Sequence, residues 1–342
     1  MATTARQHQP PEPSPAGRPP GALPDPPRGA ASTPVADQRS RALAAWDAFR
    51  DIAVAIDPDA PSRLPGWTGR DVVVHLASWP EEPLLARLVD EARGTRSAAE
   101  RPLDTDAANA ALTAAHADAT HADLLAALDD GRARLDAAYA AAADEGIGLA
   151  PTGSQVGPVP LLTQLGAIAY ELAVHAADLV PCGAPPAPAE LADAGLLALA
   201  DTAGALAARH GLTARAALVV PSGGWSFTAA KDGWSIAPAH GSAPKTTPQN
   251  APAAAGTAPN GPGPRYPAVR AASPAVLLDA SAGRRAVPTL LLKRELKLDN
   301  IAGLLALAPL LDHVPGIPGG PALKIAVTWL GGVGRAVARL QG

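Results

Sequence analysis

Residues 161–179 read LLTQLGAIAYELAVHAADL, and Leu161, Leu165, Ile168, Leu172, His175 and Leu179 recur there at alternating steps of four and three. That spacing draws one stripe along an α-helix. It predicts a helix that buries a single face in a helical bundle. His175 takes a stripe position otherwise filled by Leu and Ile, and Glu171 lies one turn before it. Side chains four apart on a helix stand over the same patch of surface, so an imidazole and a carboxylate are expected side by side, both turned inward.

The neighbouring segments supply the rest of a bundle. Residues 36–56 contain neither Pro nor Gly and place Leu43, Trp46, Phe49 and Val54 at spacings of three to five, a first helix. Pro58, Pro61 and Pro65 break the chain. Thr68, with Asp71 three residues on, then forms an acidic capping box that opens a second helix, which Pro80 ends or kinks. On that helix Val72, His75, Leu76 and Trp79 share a face, so His75 points into the bundle. Residues 104–143 hold no Pro and a single Gly, and read as one long helix or two in tandem. Residues 189–210 form a further Ala and Leu helix that stops at Gly211.

The pattern changes after residue 212. Residues 216–220 are a short apolar run, and residues 225–236 alternate around Lys231, Asp232 and Gly233, the turn chemistry of a hairpin. A strand is expected at 269–272 and a helix at 274–281. The expected fold class is therefore an all-α N-terminal domain plus an α+β C-terminal domain. The expected division is a Pro-rich disordered tail at 1–34, a metal-binding bundle at 35–211, an α+β domain at 212–315 and a helical tail at 316–342. Residues 240–264, rich in Ala, Pro, Gly, Thr and Asn, read as a disordered insertion in the third part.

Composition narrows the function classes. A chain of 342 residues accommodates two domains. Aromatic residues make up only 3%, so the cores must be built from Leu, Val, Ile and Ala with a few Trp anchors. The formal net charge is −4 with both signs scattered, which lacks the basic stripe that nucleic acid requires. Cys182 is the sole cysteine, which excludes an internal disulfide and a thiolate metal cluster and suits a reducing compartment. Residues 1–34 lack the apolar core of a signal peptide, and a cytoplasmic location is expected. Residues 322–340 include Lys324, Arg335 and Arg339 and read as a terminal amphipathic helix rather than a membrane span.

The polar residues on the bundle faces carry the chemistry. A Glu and a His four apart can share one divalent ion, and a nitrogen from a facing helix, His75, completes three ligands with positions left open for water or substrate. The competing reading is a plain hydrogen-bonded pair of Glu171 and His175. Asp178, three residues beyond His175, could orient a ligand imidazole or bind a helix terminus. Trp67 and Trp79 read as core anchors, His116 and His121 as solvated helix residues, and Cys182 as a loop residue.

Residues 64–77, LPGWTGRDVVVHLA, together with residues 171–179, ELAVHAADL, resemble the paired signature of the mycothiol-dependent maleylpyruvate isomerase family. The resemblance implies a DinB-like four-helix bundle with a zinc-type site made by His75, Glu171 and His175, and Asp178 beside it. It also implies mycothiol as a thiol cosubstrate whose sulfur meets the metal and is activated as a thiolate. The activity expected is that of an isomerase or thiol transferase acting on a small electrophile such as maleylpyruvate. The run from Ala216 to Asn300 resembles the sterol-carrier-protein-like (SCP2-like) domain that often follows this bundle. A basic residue from that second domain could hold a substrate carboxylate, with Arg265, Arg270 and Arg294 as candidates. The insertion at 240–264 and the residues after Pro315 depart from the family pattern. Expected partners are a small-molecule substrate and a thiol, with no nucleic acid and no membrane span, in a monomer or homodimer. The alternative is a non-enzymatic metal- or lipid-binding regulatory module.

Overall fold

The computed structural model describes residues 27–80, 83–98, 105–154, 157–239 and 266–312. Its helical region contains α1 (Val35–Val54), α2 (Gly69–Leu76), α3 (Leu84–Ala92), α4 (Thr105–Ala115), α5 (His121–Asp144), α6 (Leu161–Asp178) and α7 (Ala189–Arg209). Four of these form the bundle: α5 and α6 each pack against both α1 and α2. The stripe on α6 is its inner edge, for Leu161, Leu165, Leu172 and Leu179 are all 0% exposed. Opposite it, α1 contributes Trp46 and Phe49, and the Trp46 indole N–H donates to the Leu128 carbonyl at 2.9 Å. Val54, expected on the same face, turns outward, because a step of five from Phe49 carries it well off that face.

Local capping sets where the bundle helices begin. Thr68 Oγ1 accepts from the Asp71 N–H at 3.3 Å, and Asp71 Oδ2 accepts from the Thr68 N–H at 2.8 Å, so both halves of the capping box are made at the start of α2. A second capping box, Thr120 with Asp123, starts α5. It divides residues 104–143 into two helices rather than one. The apolar run of α3 was not anticipated from the sequence, yet it buries Leu85, Leu88, Val89 and Ala92.

Two short strands, β1 (Pro151–Thr152) and β2 (Val159–Pro160), pair just before α6. The C-terminal half holds β3 (Ala214–Val220), β4 (Gly223–Ala230), β5 (Gly233–Pro238), β6 (Ala268–Ala271) and β7 (Leu296–Asp299) in the order β5-β4-β3-β6-β7. All neighbours are antiparallel except β3 and β6. The β4–β5 hairpin turns at Lys231 and Asp232, with Ala230 opposite Gly233, as the sequence predicts. Between β6 and β7 the chain forms α8 (Pro274–Ser281) and α9 (Val287–Leu292), and α10 (Ile301–Leu304) follows β7. A helical region followed by a sheet and helices is the expected class.

Two packing features bear on the expected organisation. First, α7 packs along α6 on one side and against β3, β4 and β5 on the other, so this helix is a layer shared by the bundle and the sheet. Small residues permit this: a Cβ on Gly195 would lie 2.6 Å from that of Ala173, and one on Gly204 would lie 2.6 Å from the Trp234 ring. Second, residues 27–34, assigned to the tail, are docked. The Trp234 N–H donates to the Pro27 carbonyl at 2.9 Å, and the Ala30 N–H donates to Asp201 Oδ1 at 2.8 Å. Composition concealed this contact, which depends on Gly29 lying at φ +58 against Trp234.

Among the described residues α7 is the one helix long and apolar enough to cross a membrane, and 72% of its apolar window is buried inside the protein. The remainder of the expected tail, the insertion expected at 240–264, and the helical tail expected at 316–342 lie outside the described residues.

Candidate metal centre

The short helix α2 presents His75 near its C-terminal end, half-buried between Trp67 and α6. The Trp67 ring stands edge-on to it at 5.7 Å, and the His175 ring at 5.1 Å. His75 Nδ1 lies 3.1 Å from Asn109 Oδ1 on α4. A neutral ring donating Nδ1–H to that oxygen keeps Nε2 as the available lone pair. Burial, and then the proximity of His175, push the His75 pKa down to about 4 against the opposing pull of Asn109. The imidazole is therefore neutral at pH 7, the form that binds metal.

Helix α6 brings the other two side chains. His175 is 5% exposed, and its Nε2 lies 3.7 Å from Glu171 Oε2. Its Nδ1 faces the other way, 3.0 Å from Asp178 Oδ2. Glu171 is not inward as expected: its side chain is 51% exposed. Position 171 sits at the flank of the stripe that Leu172 and His175 centre, so its carboxylate reaches the cluster from the solvent side. Asp178 is completely buried, and the Arg284 guanidinium clamps it at 2.9 Å. Burial alone would raise the Asp178 pKa, but His175 and Arg284 outweigh it and hold the carboxyl below its ordinary range.

One ligand atom from each of His75, Glu171 and His175 lies within 4.8 Å of the others. Around a tetrahedral zinc, with bonds of about 2.0–2.2 Å, neighbouring donors stand roughly 3.5 Å apart. The Glu171–His175 separation of 3.7 Å already matches that spacing. The solvent-facing Glu171 side chain has the freedom to adjust its carboxylate to such an ion. Two neutral imidazoles with one carboxylate are a donor set suited to a divalent ion of borderline softness. The second nitrogen of each histidine faces a side-chain oxygen, which is how metal-ligating imidazoles are oriented. The residues fit such an ion.

Two of the arginines expected to serve a substrate are among the described residues. Arg270, on β6, is ion-paired with Asp299 on β7. Arg294 is exposed in a left-handed turn at φ 58, and Arg265 is outside the described residues. The C-terminal arginine that reaches the cluster is Arg284, for which no local sequence signal exists. Asn109 did leave a signal, since it stands three residues before the buried Leu112 in an Ala-rich helix and so shares its face.

His116, His121 and Trp79 have structural partners. His116 is half-buried and stacks on Trp79 at 3.6 Å. His121 Nε2 lies 2.8 Å from the Ala53 carbonyl near the end of α1. Both imidazoles serve helix packing that their spacing did not reveal. Trp79 is the core anchor expected, with its indole N–H donating to the Val74 carbonyl at 2.9 Å. Burial and the Asp57 charge raise the Cys182 thiol pKa, and its Sγ–H donates to the Ala60 carbonyl.

The family model of the mycothiol maleylpyruvate isomerase N-terminal domain matches residues 39–180. Among solved structures, the chain is similar to a crystal structure of the mycothiol-dependent maleylpyruvate isomerase and to one of its histidine-to-alanine mutant. Each shows 18% identity and a TM-score of 0.46, over 74% of this chain and 90% of that one. No curated protein matches the chain. The stretch that this family model matches, residues 39–180, carries His75, Asn109, Glu171, His175 and Asp178.

Proposed function

We propose that His75, Glu171 and His175 hold one divalent metal ion, zinc by donor type, and that the protein uses it for thiol-dependent isomerisation or thiol transfer. The thiol would be mycothiol or a close relative, and the substrate a small electrophile of the maleylpyruvate kind. The observation that carries this reading is the convergence of three donor atoms from two helices within 4.8 Å, with both histidines tethered from behind. When bound, such an ion acidifies a thiol or water at its open position and polarises a substrate carbonyl.

The chain's own residues prepare that chemistry. The suppressed basicity of His75 keeps a lone pair available at neutral pH. Glu171 contributes one negative charge, so a dication in this site retains net positive charge for a thiolate or an oxyanion. Its exposure also leaves the centre open on one side, where a substrate and a thiol could enter. Asp178, buried and ionised behind His175, favours the Nδ1–H tautomer and directs Nε2 into the site.

Thiol-dependent turnover of maleylpyruvate by the zinc-loaded protein tests the reaction, with His75→Ala and His175→Ala as controls. Turnover should require both metal and thiol and fall at least a hundredfold in either variant. A zinc-loaded protein whose rate is unaffected by thiol would overturn the mechanism while leaving the metal site standing.

A further inference from the structure

Asp178 is held from two directions by residues distant in sequence. Arg284 Nε donates to both of its carboxylate oxygens, at 3.2 and 3.1 Å, and Nη2 donates to Oδ2 at 2.9 Å. Nη1 is committed elsewhere, to the Ala282 carbonyl at 3.2 Å. The Arg63 N–H donates to the Asp178 backbone carbonyl at 3.0 Å. Both arginines converge on α8, because the Arg63 guanidinium pairs with Asp279 Oδ1 at 3.0 Å and the Arg284 N–H donates to the Asp279 carbonyl at 2.8 Å. The four residues close a ring whose innermost member stands 3.0 Å from His175 Nδ1.

Arg284 is thus poorly placed to grip a substrate, since most of its donors are spent on the protein. Resting on the metal-site reading above, we propose that Arg284 is a positioning residue for His175, acting through Asp178, so that the C-terminal segment helps to set metal affinity. The physical reason is direct. Without the guanidinium that fixes both of its oxygens, the fully buried Asp178 carboxylate loses its orientation and turns toward another donor. His175 Nδ1 then loses the carboxylate oxygen that stands 3.0 Å from it, and Nε2 becomes a less well-aimed ligand. Arg284 lies beyond residues 39–180, so the ring would join the family domain's metal ligand to the sheet half of the chain.

The test is zinc affinity of the full chain, measured by competition with a chromophoric chelator, alongside the visible spectrum of the cobalt-substituted protein. Arg284→Met should weaken zinc by about tenfold to hundredfold and perturb the cobalt bands. Arg284→Lys, which keeps the charge but not the fork, should weaken it less, though by more than about threefold. The Asp178→Asn variant should bind about as weakly as the Asp178→Asn, Arg284→Met double variant, because the two residues act in series.

A purely structural role predicts a lower Tm with zinc affinity unchanged in every Arg284 variant, and that result overturns the proposal. Additive losses in the double variant do so as well. Should Arg284→Met fail to fold, Arg284→Lys decides alone by the same threshold. Loss of the metal reading itself shows separately: His75→Ala would then bind zinc as tightly as the unaltered chain.

Discussion

His75 Nδ1 and Asn109 Oδ1 stand 3.1 Å apart, and this one contact ties the ring on α2 to α4. Helix α2 is only eight residues long and ends one residue after His75, before an extended Ala77. Such a short helix gives its last turn little rigidity of its own. The Asn109 tether supplies what the helix cannot.

Replacement of Asn109 by Ala should therefore weaken zinc binding by about tenfold. Because Asn109 is only half-buried, the same change should cost less than about 1 kcal/mol of stability. Asn109→Asp, which retains an acceptor and adds charge, should bind zinc at least as tightly as the unaltered chain. Chelator competition beside thermal unfolding separates the two effects. Zinc affinity left unchanged by Asn109→Ala would remove the tether from the account.

The depressed His75 pKa has a consequence for metal-free protein. The unfolded chain takes up a proton at an ordinary histidine pKa near 6.5, whereas the native ring does so only near 4. Native stability should therefore fall as pH drops from about 6.5 to 4, by at most about 3 kcal/mol from this group, and its contribution should level off below that window. Urea unfolding with chelator present, compared between the unaltered chain and His75→Gln, isolates the term. Identical pH slopes in the two proteins would contradict it.

Asp201 works in the opposite sense. Burial pushes its pKa up to about 6 against the donors from Ala30, Trp234 and Thr163. Its folded pKa exceeds its unfolded one, so its contribution is fullest below about pH 4 and is lost as pH rises through 6. Asp201→Asn should be at least as stable as the unaltered chain at pH 8, since an amide oxygen still accepts from the Ala30 N–H and the Trp234 indole N–H. Asp201→Ala strands both donors and should lose about 2 kcal/mol. A marked loss in Asp201→Asn at pH 8 would refute the sign.

Gly29 tests the docked segment. Its left-handed φ of +58 and the 1.8 Å approach of a would-be Cβ to Trp234 Nε1 leave no room for a side chain. Gly29→Ala should lose about 1–3 kcal/mol, and removal of residues 1–34 should add little to that loss. An unchanged Tm in Gly29→Ala would mean that the segment carries no stability.

Much of this architecture was legible in the sequence because its signals are local. The α6 stripe, the Thr68–Asp71 box and the Lys231–Asp232 turn each act within a few residues, and each stands where its chemistry predicts. What escaped was non-local. The Asp178–Arg284 clamp spans 106 positions and the Ala30–Asp201 bond spans 171, so nothing near either residue announces its partner. Spacing also could not tell a stripe residue from its flank, which is why the exposure of Glu171 was missed while the burial of His175 was not. The contacts of His116 and His121 are hidden for a related reason, since their partners, Trp79 and the Ala53 carbonyl, lie far off in sequence.

The most direct measurement is the zinc content of purified protein, with and without the proposed ligands. The account predicts close to one equivalent per chain, lost when His75, Glu171 or His175 is replaced by Ala while the helical circular dichroism is retained. Zinc retained at full stoichiometry in all three variants, or a chain that takes up none when zinc is supplied, would contradict it.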